Sequence, residues 1–151
     1  MKLIFTSDIH GKKEIIDYIL ENYIVDGYYD CGDSELLNYN LKKFYSVLGN
    51  CDYESYPNYR IISLDEKNKI FMTHGHLYNI NSMISMAKQR KCNIIIHGHT
   101  HIKKMEKIDD IYIINPGSVA KPRSKDSNTF LILDYDEIKN EINYQFIKLS
   151  L

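Results

Sequence analysis

Five short, strongly apolar segments of this chain each run straight into a tight loop that carries an aspartate, an asparagine or a histidine. The segments end at Thr6, Cys31, Leu48, Thr73 and Ile96, and the loops bring in Asp8, Asp33, Asn50, His74 and His99. Four of the loops also contain a glycine, Gly32, Gly49, Gly75 or Gly98, which permits sharp turns and close approach of the backbone. Short apolar runs bounded by such turns read as buried strands. Ligands of open α/β sheets gather outside the carboxyl ends of strands. The repeated order of strand and then polar loop therefore points to an α/β fold whose loops can share one crevice.

The rest of the chain fits that frame. Ile15, Ile16, Ile19, Leu20 and Tyr23 follow helical spacing and predict an amphipathic helix over residues 14–22. A short helix is expected over 35–41, and a second long one from an Asn81 N-cap to about Arg90. Residues 60–64 and 69–73 read as two strands joined by a polar turn, and 102–108 with 111–114 as a hairpin around Asp109-Asp110. A closing hairpin is expected from 129–134 and 142–149. Strands alternate with helices early and hairpins dominate late, as in an α/β domain with two packed, mixed sheets and flanking helices. At 151 residues the chain suits one domain, 1–151, around one core region.

Composition narrows the function. The chain is 44% apolar and 26% charged, with a formal net charge of -1. It offers no broad attraction to nucleic acid or to anionic membranes, so a phosphate-bearing substrate has to be held by metals or a few local side chains. The first apolar run stops at Asp8, too soon for a signal peptide or a membrane span. Cys31, Cys51 and Cys92 are odd in number and form no C-x-x-C pair. That argues against a disulfide framework or a zinc ribbon and for the cytoplasm, with Cys31 and Cys92 as core thiols.

All six histidines fall within Asp8-Ile9-His10, His74-Gly75-His76 and the run from His97 to His101. Imidazole is the commonest side-chain ligand of zinc, iron, manganese and their neighbours. Residues i and i+2 of an extended segment point the same way, so Asp8 with His10, and His99 with His101, are each expected to act as a pair. Two cations roughly 3.5–4 Å apart repel, and a bridging carboxylate relieves them. Asp33, alone after its glycine, suits that bridge, and Asn50 supplies a neutral oxygen. A set mixing imidazole with hard oxygens favours two divalent ions of manganese, with nickel, iron or zinc admissible, over calcium.

Taken in order, Asp8-Ile9-His10, Gly32-Asp33, Gly49-Asn50-Cys51-Asp52, His74-Gly75-His76 and Gly98-His99-Thr100-His101 resemble the five motifs of the calcineurin-like metallophosphoesterases. The resemblance runs from Asp8 to Gly117. The small size, the cysteine in the Gly-Asn motif and Asn115-Pro116-Gly117-Ser118 resemble the compact bacterial and archaeal phosphodiesterase branch. The resemblance implies a four-layer αββα sandwich. It implies one metal held by Asp8, His10, Asp33 and His101, and a second by Asp33, Asn50, His74 and His99. It further implies hydrolysis of a small phosphate ester by a metal-activated water, with Asp33, Asn50, Cys51 and Asp52 as the catalytic group.

One position departs from that pattern. Most members carry histidine where this chain has Cys51, and there it binds substrate phosphate and protonates the leaving group. A thiol with a pKa of about 8.5 replaces imidazolium poorly, so slow turnover or a restriction to good leaving groups is expected. The alternative is a non-catalytic or weakly catalytic metal-binding scaffold, resembling the retromer subunit of eukaryotes. Asp52 reads as an orienting group or an ordinary turn aspartate, and His76 as a substrate contact or a structural residue. His97 reads as packing behind the ligands, and Arg123 as a phosphate contact or solvated surface. Exposed sheet edges leave room for a homodimer or tetramer.

Overall fold

Period-two burial along the strands sorts the apolar side chains into three separate layers, and these layers define the architecture. The computed structural model describes residues 1–123, 125 and 127–150. In chain order the elements are β1 (Lys2–Thr6), α1 (Lys13–Asn22), β2 (Gly27–Asp30), α2 (Asn38–Leu41), β3 (Phe44–Ser46), β4 (Tyr59–Ser63), β5 (Lys69–Thr73), α3 (Ile80–Gln89), β6 (Ile94–Ile96), β7 (Lys104–Ile108), β8 (Ile111–Asn115), β9 (Thr129–Asp136) and β10 (Glu141–Lys148). They build two five-stranded sheets, ordered β10-β9-β1-β2-β3 and β4-β5-β6-β8-β7. Strands β1, β2 and β3 run parallel, as do β5, β6 and β8, and the remaining strands pair antiparallel.

Leu3 and Phe5 of β1, Ile70 and Met72 of β5, Ile94 and Ile96 of β6, and Leu131 and Leu133 of β9 meet in one core between the sheets. The residues between them point the other way. Ile4, Tyr28, Phe44 and Phe130 pack with Ile15, Ile16 and Ile19 of α1 and Leu41 of α2. Phe71, Ile95, Ile111 and Ile113 pack with Met83, Ile84 and Ala87 of α3. Helix, sheet, sheet and helix thus stack as the αββα sandwich expected from the motifs, a mixed α/β fold. No helix among the described residues is long and apolar enough to cross a membrane.

Two local expectations need correction. The short helix does not begin at residue 35, because Glu35 has φ 51° and α2 covers only Asn38–Leu41. A left-handed residue cannot continue a right-handed helix, and Glu35 is committed to contacts described below. The N-cap of α3 is Asn79, whose side chain accepts from Ser82 N at 2.8 Å. That places the acceptor three residues before the N–H it caps, the spacing a helix N-terminus requires, and leaves Asn81 inside the first turn.

Beneath the loops, three registered residues form a buried polar ladder. Thr6 pairs with Asp30 across β1 and β2, and Asp30 with Ser46 across β2 and β3. Thr6 Oγ1 donates to Asp30 Oδ1 at 2.9 Å, while Ser46 Oγ and Gly32 N donate to Oδ2 at 3.0 and 3.1 Å. Burial pushes the Asp30 carboxyl up to about 8, with the donated hydrogen bonds opposing it. A carboxyl that holds its proton more tightly in the fold than in the unfolded chain favours the fold fully below its unfolded pKa of about 4 and loses that contribution as pH rises towards 8. Urea unfolding of the metal-free protein should accordingly show stability falling by up to about 1.4 kcal/mol per pH unit from this group across that window. The slope should flatten in Asp30→Asn.

Candidate metal centre

Each loop after β1, β2, β3, β5 and β6 leaves its strand by a sharp turn, and the backbone of the ligand residues is the first surprise. Asp8, His10, Asp33, His99 and His101 all have positive φ, between 49° and 74°. The segments are therefore not extended; the expected pairing of Asp8 with His10 holds all the same, whereas that of His99 with His101 does not. His10 joins Asp8 and His101 in one cluster, whereas His99 turns to Asp33 and His74 in another, with the ligand atoms of each cluster within 4.8 Å of one another. His99 and His101 thus serve opposite halves of the pocket.

Close loop contacts make these turns possible. Asp8 N donates to Gly32 O, His10 N to Asp33 O and Gly98 N to His74 O, each at 3.0 Å. A Cβ at Gly49 would stand 2.1 Å from Asp33 Oδ1, and one at Gly98 would stand 1.8 Å from Ser7 Oγ. Only glycine fits either place. Asp52 ties the second and third loops together. Its carboxylate accepts from Asp33 N at 3.0 Å, Glu35 N at 2.9 Å and Gly49 N at 2.8 Å, which makes it an orienting group. Ser118 of the Asn-Pro-Gly-Ser segment donates to Asp8 O at 2.8 Å and accepts from Lys121 N at 2.7 Å.

In the first half of the pocket, His101 Nδ1 donates to Lys121 O at 2.7 Å and His10 Nδ1 donates to Glu35 Oε1 at 2.6 Å. A carbonyl and a carboxylate only accept, so both rings carry their proton on Nδ1 and turn Nε2 inward. The two Nε2 atoms face each other at 3.3 Å. They lie 3.9 Å (His10) and 3.3 Å (His101) from Asp8 Oδ1. Asp8 Oδ2 accepts from Ser7 Oγ at 2.7 Å and from His99 N at 3.3 Å. Its Oδ1 is buried without a hydrogen-bond partner.

The second half repeats this logic. His74 Nδ1 donates to Cys31 O at 2.8 Å, and its Nε2 lies 3.1 Å from both Asp33 Oδ2 and Asn50 Oδ1. His99 Nδ1 also lies 3.1 Å from Asn50 Oδ1. Asp33 Oδ1 accepts from Cys51 N at 2.8 Å. His74 Nε2 comes within 3.9 Å of Asp8 Oδ1, so the two halves adjoin.

Electrostatics agree with the geometry. Burial lowers the His74 imidazole, but Asp33 and Asp8 outweigh it and raise its pKa. Asp8, opposed by burial, likewise raises His101. Burial pushes Asp33 up, yet the contact with His74 and the hydrogen bond from the Cys51 N–H hold it at about 2. The pocket draws positive charge to itself. Buried lone pairs of imidazole and carboxylate that converge with one oxygen left unpartnered are the donor set of a transition-metal site, and the residues present fit two divalent cations.

The remaining candidates stand aside. His76 belongs to neither cluster; its ring lies 5.3 Å from that of His74 and 6.3 Å from that of His99, and its Nδ1 is buried and unpartnered. His97 donates from Nδ1 to Gly98 O at 3.1 Å and lines a separate cavity of about 330 Å³ with Ile80, Ile102 and Ile113, a packing role. Arg123 donates its backbone N–H to His101 O at 3.2 Å. Cys51 is exposed at the mouth, while Cys31 and Cys92 are buried. The residues that sequence reasoning passed over are Glu35, Ser7 and Ser118. Glu35 stood two positions after Asp33, yet nothing in its spacing marks a partner for His10.

The comparisons with known proteins bear on the family and the fold. A family model for the calcineurin-like phosphoesterase superfamily domain matches residues 1–138. The phosphodiesterase YfcE of Escherichia coli K12 is 29% identical over 90% of this chain and 89% of its own length. A predicted phosphoesterase of Streptococcus pneumoniae TIGR4 superposes with a TM-score of 0.86 at 29% identity, covering 97% of this chain and 88% of that one. Vps29 of Entamoeba histolytica shares the fold, with a TM-score of 0.72 at 18% identity over 99% of this chain and 100% of that one. Asp52→Ala should leave three buried or half-buried N–H groups without their acceptor, at about 1–3 kcal/mol for each unsatisfied group. The check is a fall in urea midpoint with the m-value unchanged.

Proposed function

We propose that this chain, which belongs to the calcineurin-like phosphoesterase superfamily, is a dinuclear metal-dependent phosphodiesterase. The observation that carries the reading is the convergence of inward-facing imidazole and carboxylate lone pairs on a buried, unpartnered Asp8 Oδ1. Asp8, His10, Asp33 and His101 would hold one divalent cation. Asp33, Asn50, His74 and His99 would hold the other, with the Asp33 carboxylate shared between them. When bound, such a pair supplies Lewis acidity and a nucleophile drawn from water at neutral pH. Manganese is the favoured ion, with nickel, iron and zinc compatible with the same mixed nitrogen and oxygen donors.

The chain's own groups shape the rest of the chemistry. The Asp52 carboxylate holds the Asp33 backbone and the Cys51 N–H holds the Asp33 carboxylate, which lies in the cluster of His74 and His99. Asn50 and His99 are exposed, so the second half of the pocket opens to a phosphate ester while Asp8 and His74 close its floor. Burial, together with Asp33 and Glu35, raises the Cys51 thiol. It stays neutral at pH 7 and contributes neither a positive charge to substrate phosphate nor an efficient proton to a leaving alkoxide. Turnover is therefore confined to small esters whose leaving group needs little protonation. A scaffold of the same fold remains the competing reading, and the complete set of competent donors favours the hydrolase.

The protein with added manganese should hydrolyse bis-(p-nitrophenyl) phosphate, with the activity abolished by a chelator and restored by manganese. Asp33→Ala should lower the rate by at least ~100-fold, the scale on which a lost charge-stabilising group acts. Turnover of the native protein no higher than that of Asp33→Ala would establish the scaffold instead.

A further inference from the structure

We infer that Glu35 is a positioning residue that sets the tautomer and the donor strength of His10, an inference that rests on the two-cation reading above. The His10–Glu35 bond is a short carboxylate–imidazole contact, Nδ1 to Oε1 at 2.6 Å. Its length is that of a charge-assisted hydrogen bond. Donation from Nδ1 leaves the Nε2 lone pair free to face Asp8 Oδ1 and His101 Nε2.

The backbone around Glu35 is organised to deliver that carboxylate. Glu35 sits in the left-handed region at φ 51°, a conformation that is unfavourable for a residue with a side chain. Both of its main-chain polar groups are captured, the N–H by Asp52 Oδ1 at 2.9 Å and the carbonyl by Tyr53 OH at 3.0 Å. Its loop is zipped to that of His10 by bonds from His10 N to Asp33 O at 3.0 Å and from Gly11 N to Ser34 O at 2.7 Å. A chance surface ion pair would not be held at both ends of its backbone by separate side chains.

A contrast among the three inward-facing rings gives the arrangement its consequence. His74 and His101 are oriented by main-chain carbonyls, of Cys31 and Lys121. His10 is oriented by a charged side chain. A carboxylate on the far nitrogen makes an imidazole a stronger metal donor than a carbonyl does, and losing such a partner costs about 10- to 100-fold in metal affinity. Glu35 therefore tunes the half of the centre that contains His10 and leaves the half built on His74 and His99 unchanged.

The test pairs proton NMR of the metal-free protein with calorimetric titration by manganese chloride, on the native chain and on Glu35→Gln and Glu35→Ala. The native chain should show a low-field His10 Nδ1 proton and two binding steps. In Glu35→Ala the low-field proton should disappear and one binding step should weaken by about 10- to 100-fold, with the other unmoved. In Glu35→Gln, whose amide oxygen still accepts, the proton should persist and the affinity should fall between the two. Equal weakening of both steps, or affinities within about twofold of native in Glu35→Ala, would overturn the inference while leaving the two-cation reading intact. A native chain that takes up no manganese would overturn both.

Discussion

Asp8 and Asp33 are carboxylates withdrawn from water at the focus of five loops, and uncompensated buried charge is costly enough that the surrounding chain has to supply donors or positive charge. The chain supplies part of the answer itself. Ser7 Oγ and His99 N satisfy one oxygen of Asp8, and Cys51 N satisfies one oxygen of Asp33. The other oxygens are turned towards imidazole nitrogens whose own protons are already committed elsewhere. What remains is a small volume bounded almost entirely by lone pairs, a form of local frustration that a cation resolves and that apolar packing cannot.

That frustration is confined with care, and the polar groups next to it behave differently. In the ladder of Thr6, Asp30 and Ser46, both carboxylate oxygens of Asp30 have partners. The Asp52 carboxylate accepts three backbone N–H groups, and the Ser118 hydroxyl both donates and accepts. Satisfied networks of this kind rigidify their surroundings. They hold five loops in place, four of them through turns with positive φ, while the two parallel strand sets and three apolar layers fix where those loops leave the sheets. The stable part of the molecule bears the strain that the reactive part needs.

Cys51 and Glu35 give the mouth of this pocket its own character. A neutral thiol and a carboxylate stand there, and His10, Glu35 and Cys51 come within ligand distance of one another. On the proposed reading, recognition of phosphate would fall to the metal pair rather than to cationic side chains, in keeping with a chain whose overall charge is close to zero.

The sequence by itself determined the architecture and the roll of donors. The apolar runs with their two-residue period dictate which side chains face which layer, because a strand presents alternate residues to opposite faces. The clustering of six histidines, two aspartates and an asparagine behind those runs marked the pocket, and the structure brings seven of those residues, Asp8, His10, Asp33, Asn50, His74, His99 and His101, together. What orients the donors was decided by tertiary structure alone. Reading His99-Thr100-His101 as an extended segment wrongly paired its two histidines, because left-handed turns override the two-residue alternation, whereas Asp8 and His10 do share a cluster. The partners that orient the rings, Glu35 for His10, the Cys31 carbonyl for His74 and the Lys121 carbonyl for His101, lie 20 or more residues from them. No local periodicity encodes a hydrogen bond between loops that meet only after two sheets have packed.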